Sequence, residues 1–122
     1  MSNQTPSYYR QEGDWIDYTP NANVSAGDTV VLGNAVLIAK EDIPANTLGQ
    51  LSRQGVFRVP KDSSVISAFA QLYWLAAGNP VGGTAGTGAY STTNTGTKAG
   101  FAAAAQLNTD ATVDLILDGG LH

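Results

Sequence analysis

Ala35-Val-Leu-Ile-Ala39 is an unbroken apolar run, bounded by the turn pair Gly33-Asn34 and by the polar stretch Asp42-Ile-Pro-Ala-Asn-Thr-Leu-Gly49. Its β-branched residues are stiff at the first side-chain torsion and suit a pleated surface, so the run predicts a core β-strand. The same grammar repeats along the chain. Trp15, Asp17 and Thr19 alternate with Ile16 and Tyr18 until Pro20 and an Asn-Ala-Asn run end the segment. Ser25-Ala-Gly-Asp28 predicts a tight turn in which Gly27 takes a positive backbone angle before Thr29-Val-Val-Leu32. In Gly55–Pro60, Val56 and Arg58 point opposite to Phe57 and Val59, and Pro60, lacking an N–H, marks a strand end or a sheet edge. Leu72–Leu75 and Thr112–Leu117 complete the pattern, the latter with Val113, Leu115 and Leu117 inward. These segments predict a small all-β domain.

The intervening segments carry weaker signals. Ser63-Ser64 ahead of Val65-Ile-Ser-Ala-Phe-Ala70 predicts about one capped helical turn. Residues 76 to 100, rich in Gly and Thr, predict a long exposed loop around a short strand at Ala89-Tyr-Ser-Thr92, too polar to form core. Phe101-Ala-Ala-Ala-Ala-Gln-Leu107 has the alanine content of a helix. Asn46 lies in the 42–49 loop, and Asn is a residue that tolerates left-handed backbone angles. Residues 1 to 8 are polar and unpatterned and predict an arm of about 25 Å reach. The resulting organisation is an amino-terminal arm over 1–12 and a β domain over 13–122.

Charge narrows the partners. Six Lys and Arg against ten Asp and Glu give a net charge of −4, the wrong sign for holding phosphate backbones. Arg53, Arg58 and Lys61 come nearest to a basic patch, and strand alternation would split them between faces. No nucleic-acid partner is expected. Charged residues make up 13% of the chain, about half the usual share for a soluble domain, which suits faces that pack on other subunits. The first residues lack the basic start and apolar core of a secretory signal, and no stretch approaches the ~20 apolar residues of a membrane span. Synthesis in a cytoplasm and no membrane partner are therefore expected.

Catalytic chemistry has little to work with. The sequence has no cysteine and a single histidine, His122, at its last position. That excludes Ser-His-Asp and Cys-His sites and thiolate or histidine metal sites. The closest carboxylate pairs, Glu12 with Asp14, Asp14 with Asp17, and Glu41 with Asp42, lie at turns or strand starts where acidic residues are ordinary solvated surface. Gly82-Gly-Thr-Ala-Gly-Thr-Gly88 is not a phosphate loop, because no Lys-Ser/Thr pair follows it and the nearest lysine, Lys98, is out of order. The expectation is a non-enzyme without cofactor or metal. Among the aromatics, Tyr8, Tyr9 and Trp15, with Arg10 between them, cluster where the arm meets the domain. Rigid aromatic area favours interfaces, so these four are the candidate contacts with a neighbouring subunit, against simple packing on the domain itself.

Four segments carry a family resemblance: Tyr9-Arg-Gln-Glu-Gly-Asp-Trp-Ile-Asp-Tyr-Thr19, Gly27-Asp-Thr-Val-Val-Leu-Gly33, Gly55-Val-Phe-Arg-Val-Pro-Lys61 and Leu72-Tyr-Trp-Leu75. In order and spacing the chain resembles the phage capsid cement, or head decoration, proteins, a family loosely labelled RecA/RadA-type recombinase. The resemblance implies a compact antiparallel β-barrel or β-clip-like fold and places a strand rather than a helix at 101–107. It further implies a structural virion protein on the outer capsid surface, with the major capsid protein as partner and a homotrimer as its form. Two other functions stand beside it: a glycan-binding adhesion module using the Gly/Thr loop, and a phage recombination-related protein, for which the phosphate loop is missing.

Overall fold

The computed structural model describes residues 15–117. Nine strands run β1 Trp15–Tyr18, β2 Thr29–Leu32, β3 Ala35–Ala39, β4 Gly49–Ser52, β5 Gly55–Pro60, β6 Gln71–Leu75, β7 Ala89–Ser91, β8 Thr97–Ala102 and β9 Thr112–Leu117. They form two antiparallel sheets, of order β1-β4-β3-β2 and β5-β9-β8-β6-β7. The domain is all-β, with no helix among the described residues. The expected arm, residues 1–12, lies outside them.

β3 explains how the sheets join. Its residues alternate between two apolar clusters: Val36 and Ile38 enter the larger one with Val59, Ile66, Leu72, Tyr90, Val113, Leu115 and Leu117. Leu37 and Ala39 enter a smaller one with Ile43 and Leu51. A strand buried on both faces should read as a continuous apolar run rather than an alternation, which is how this one reads. The smaller cluster is closed by a bridge between Val24 and Ile43, whose N–H and C=O groups exchange hydrogen bonds of 2.9 and 2.8 Å.

The five-stranded sheet curls until its two edge strands meet. Lys61, just past the end of β5, forms a parallel bridge with Tyr90 of β7, and the Asp62 N–H donates to the Tyr90 carbonyl at 3.1 Å. Tyr90 is fully buried, and its hydroxyl pairs with the Thr29 hydroxyl at 2.8 Å, tying the two sheets together. Burial pushes the Tyr90 phenol up, against a smaller lowering by the Thr29 hydrogen bond, so it stays protonated.

Two local expectations change. The segment 65–70 is not a helical turn: Ile66 pairs with Gln106 in an isolated antiparallel bridge, and Phe69 takes a left-handed backbone angle, φ 62°, which no helix accommodates. Residues 76 to 100 are not uniformly exposed either. Ala89, Tyr90, Ser91 and Ala99 are buried, because Gly88 and Gly96 let the chain approach Trp74 where a side chain could not fit. A Cβ on Gly88 would lie 2.4 Å from the Trp74 ring, and one on Gly96 would lie 2.4 Å from the Trp74 carbonyl oxygen. In 101–107 the strand reading holds through Ala102, after which the chain bends. Gly27 has the positive angle expected of it, φ 90°, and Asn46 takes one as well, φ 62°.

Candidate functional site

Eight large apolar side chains are exposed among the described residues, and three of them share one pair of neighbouring segments, 64–70 and 102–107. Val65 and Leu107 are each 64% exposed and Phe69 is 68% exposed. The backbone beneath them is tightly bonded. Ile66 and Gln106 exchange N–H···O bonds of 2.9 and 2.8 Å, which sets Val65 and Leu107 one step beyond the bridge on opposing segments. Phe69 N–H donates to the Ala102 carbonyl at 2.7 Å, and Ala102 N–H donates to the Ala70 carbonyl at 2.9 Å.

Phe69 is the most informative of the three. A bulky side chain in the left-handed region costs roughly 1–2 kcal/mol, and no compensating burial is gained where two thirds of the residue faces solvent. Strain of this kind persists where the surroundings over-determine it, and it clusters at functional positions. Sequence reasoning placed Phe69 in a helical turn and so missed it.

Beneath this face lies Lys61, fully buried. Its ammonium donates to three backbone carbonyls, Asp62 at 2.8 Å, Leu107 at 2.9 Å and Asp110 at 3.2 Å. Next to it the Asp62 carboxylate accepts from Ser64 N–H at 3.0 Å and Ser64 Oγ at 2.5 Å. Burial pushes the Asp62 carboxyl up, but the hydrogen bonds from Ser64 and Ser91 and the Lys61 charge together outweigh it and hold the group below its ordinary value. Arg58 and Lys61 do not share a surface: Lys61 is inside, and exposed Arg58 is paired with Asp114 at 3.1 Å across β5 and β9.

Of the sequence-derived contact candidates, Trp15 opens β1 opposite Ser52 and is 44% exposed at a groove of about 400 Å³ lined by Lys40, Glu41, Gln50 and Ser52. Tyr8, Tyr9 and Arg10 lie outside the described residues. The carboxylates do local work. Asp28 accepts from Ser25 N–H at 2.9 Å, Asp42 from Ala26 N–H at 2.8 Å and Asp110 from Leu107 N–H at 2.8 Å. Among the described residues no cluster of three or more potential metal ligands occurs. What this surface offers is rigid apolar contact area rather than acid–base or metal chemistry.

Comparison with known proteins agrees with that character. A family model described as phage cement protein matches residues 10–117. No curated protein and no solved structure matches the chain.

Proposed function

The chain belongs to the phage cement protein family, and on that premise we propose that it binds the outer surface of a tailed-phage head and bridges its major capsid proteins. Family membership makes the role structural, that of a virion-stabilising component associated with the capsid, and not that of an enzyme, a glycan adhesin or a recombination protein. The observation that carries this reading is the extent of the match, which takes in every described strand.

The attachment face proposed for it is the one built on Val65, Phe69 and Leu107, supported by their shared exposure and by the backbone strain at Phe69. The arm, residues 1–12, with Tyr8, Tyr9 and Arg10, and Trp15 at its junction, supplies a second contact to the capsid or to a sister subunit. We assign the assembled form as a homotrimer, because many modest contacts repeated by symmetry add up to a strong clamp. The domain is read as a compact barrel or clip, a reading favoured by the meeting of β5 and β7 at Lys61 and Tyr90.

Co-sedimentation of the purified chain with empty expanded heads tests the function. Saturable decoration at a fixed ratio to the major capsid protein is expected. Recovery of the chain in the supernatant at every concentration would defeat the reading, and a monomeric sedimentation coefficient together with monomeric density on the head would defeat the trimer.

A further inference from the structure

Lys61 is an expensive way to fill a core. An ammonium removed from water needs each of its three donors satisfied, and an apolar side chain of the same length would occupy the space without that demand. The ion is therefore informative for what it grips. Two of its three acceptors, the carbonyls of Leu107 and Asp110, belong to one turn. That turn is also closed from within, by Asp110 N–H to the Leu107 carbonyl at 3.1 Å and by Leu107 N–H to the Asp110 carboxylate at 2.8 Å. Leu107 is thus held at both its N–H and its carbonyl while its side chain stands in solvent.

The next residue does the same on the facing segment. Asp62 accepts from both the N–H and the hydroxyl of Ser64, fixing the backbone directly before Val65. Lys61 itself cannot drift: its N–H donates to Ala111 O at 3.2 Å, its carbonyl accepts from Val81 N–H at 2.9 Å, and it bridges Tyr90. One dipeptide at the end of β5 therefore anchors both segments that carry the exposed apolar residues.

We propose that Lys61 and Asp62 are positioning residues for capsid attachment, holding the 107–110 turn and the 62–64 turn so that Val65, Phe69 and Leu107 meet the head already ordered. The inference rests on the proposed function and on its assignment of this face. Its physical content is preorganisation: a loop ordered in advance does not lose its conformational entropy on docking. Neither residue touches the partner. Both act through the backbone of the residues that do.

The test compares Lys61→Met, Asp62→Ala and Ser64→Ala with the surface variants Phe69→Ser and Leu107→Ser, by head co-sedimentation and by amide hydrogen exchange. The positioning variants are expected to speed exchange in 62–70 and 102–111 while β3 and β9 stay protected. They should also raise the concentration for half-saturation of heads by about tenfold, the loss of ~1.4 kcal/mol of preorganisation. Faster exchange with an unchanged head titration overturns the proposal, leaving the pair purely structural. Should Lys61→Met not fold, Ser64→Ala decides the matter, since it touches the 62–64 turn, and Asp62→Ala, which loses the bond from Ser91 as well, is read beside it. If Phe69→Ser and Leu107→Ser decorate heads like the parent chain, the face is wrong and the positioning role falls with it. If they fail while the positioning variants bind normally, the face stands and only the positioning role is lost.

Discussion

Two exposed regions of the five-stranded sheet are built on opposite plans. The segments 62–70 and 103–111 carry large apolar side chains on a backbone fastened from inside by Lys61 and Asp62. The segment 79–88 carries small polar residues and closes mostly on itself, through Gly83 N–H to Pro80 O, Gly86 N–H to the Asn79 side chain and Thr87 Oγ1 to Thr84 O. Exposure alone does not tell them apart. The difference is whether a core side chain reaches out to hold the loop, as Lys61 does for 107–110 and no core side chain does for 79–88 among the bonds that close it.

The comparison can be broken most severely at Lys61. Lys61→Met takes the ammonium donor from the carbonyls of Asp62, Leu107 and Asp110 and should destabilise the domain by about 3 kcal/mol, measured by urea unfolding. The loss should be felt first in the fastened loops. Next comes Gly88→Ala, which forces a Cβ into the Trp74 ring at a φ of 110° and should cost about 2 kcal/mol. That result would show the connecting loop to be rigid only where it leaves the core. Phe69→Gly should go the other way, gaining up to about 1 kcal/mol by relieving the left-handed strain while weakening head attachment. A Phe69→Gly variant that is both less stable and fully competent would sink the reading of Phe69 as a displayed contact.

Smaller still is the acid response. The Asp62 carboxyl titrates below the ordinary value of 3.8 in the folded chain, so its contribution is complete above that value and disappears as pH falls through the folded one. The stability gap between the parent chain and Asp62→Ala should therefore be constant near neutrality and close only below pH 3.8, as followed by thermal melts across pH. Removing residues 82–87 should have the smallest effect, less than about 0.5 kcal/mol, because loop closure depends weakly on length. Loss of cooperative unfolding in that deletion would place the Gly/Thr loop among the structural elements.

The sequence made the strands legible where side chains had to be β-branched or alternating. Ala35–Ala39, Gly55–Pro60 and Thr112–Leu117 are found with the facing expected of them. β4 was harder to see, since Gly49-Gln-Leu-Ser52 has a single large apolar residue and exists as a strand through its pairing with β1 and β3. Tyr90 was hidden by its neighbours. Small residues around it suggested an exposed segment, when they are small because two sheets and Trp74 close on that point. The candidate face was less legible still. Nothing local distinguishes a buried lysine from a solvated one, and Phe69 departs from its expected helical turn through bonds to Ala102, more than thirty residues away in sequence. The Asp62-x-Ser64 spacing was the one local sign, a pattern in which an acidic side chain bonds the backbone two residues on.

β3 has a mechanical consequence. Because its alternate side chains are the inner wall of both apolar clusters, neither cluster can be dismantled without withdrawing support from the other. A pull delivered to the four-stranded sheet is carried through one five-residue strand into the five-stranded sheet, and the Thr29–Tyr90 hydrogen bond adds a second tie between them. The two sheets therefore yield together, as a single cooperative unit. For a member of the phage cement protein family, whose role is structural, that shared wall makes the whole domain a rivet rather than two plates joined by a hinge.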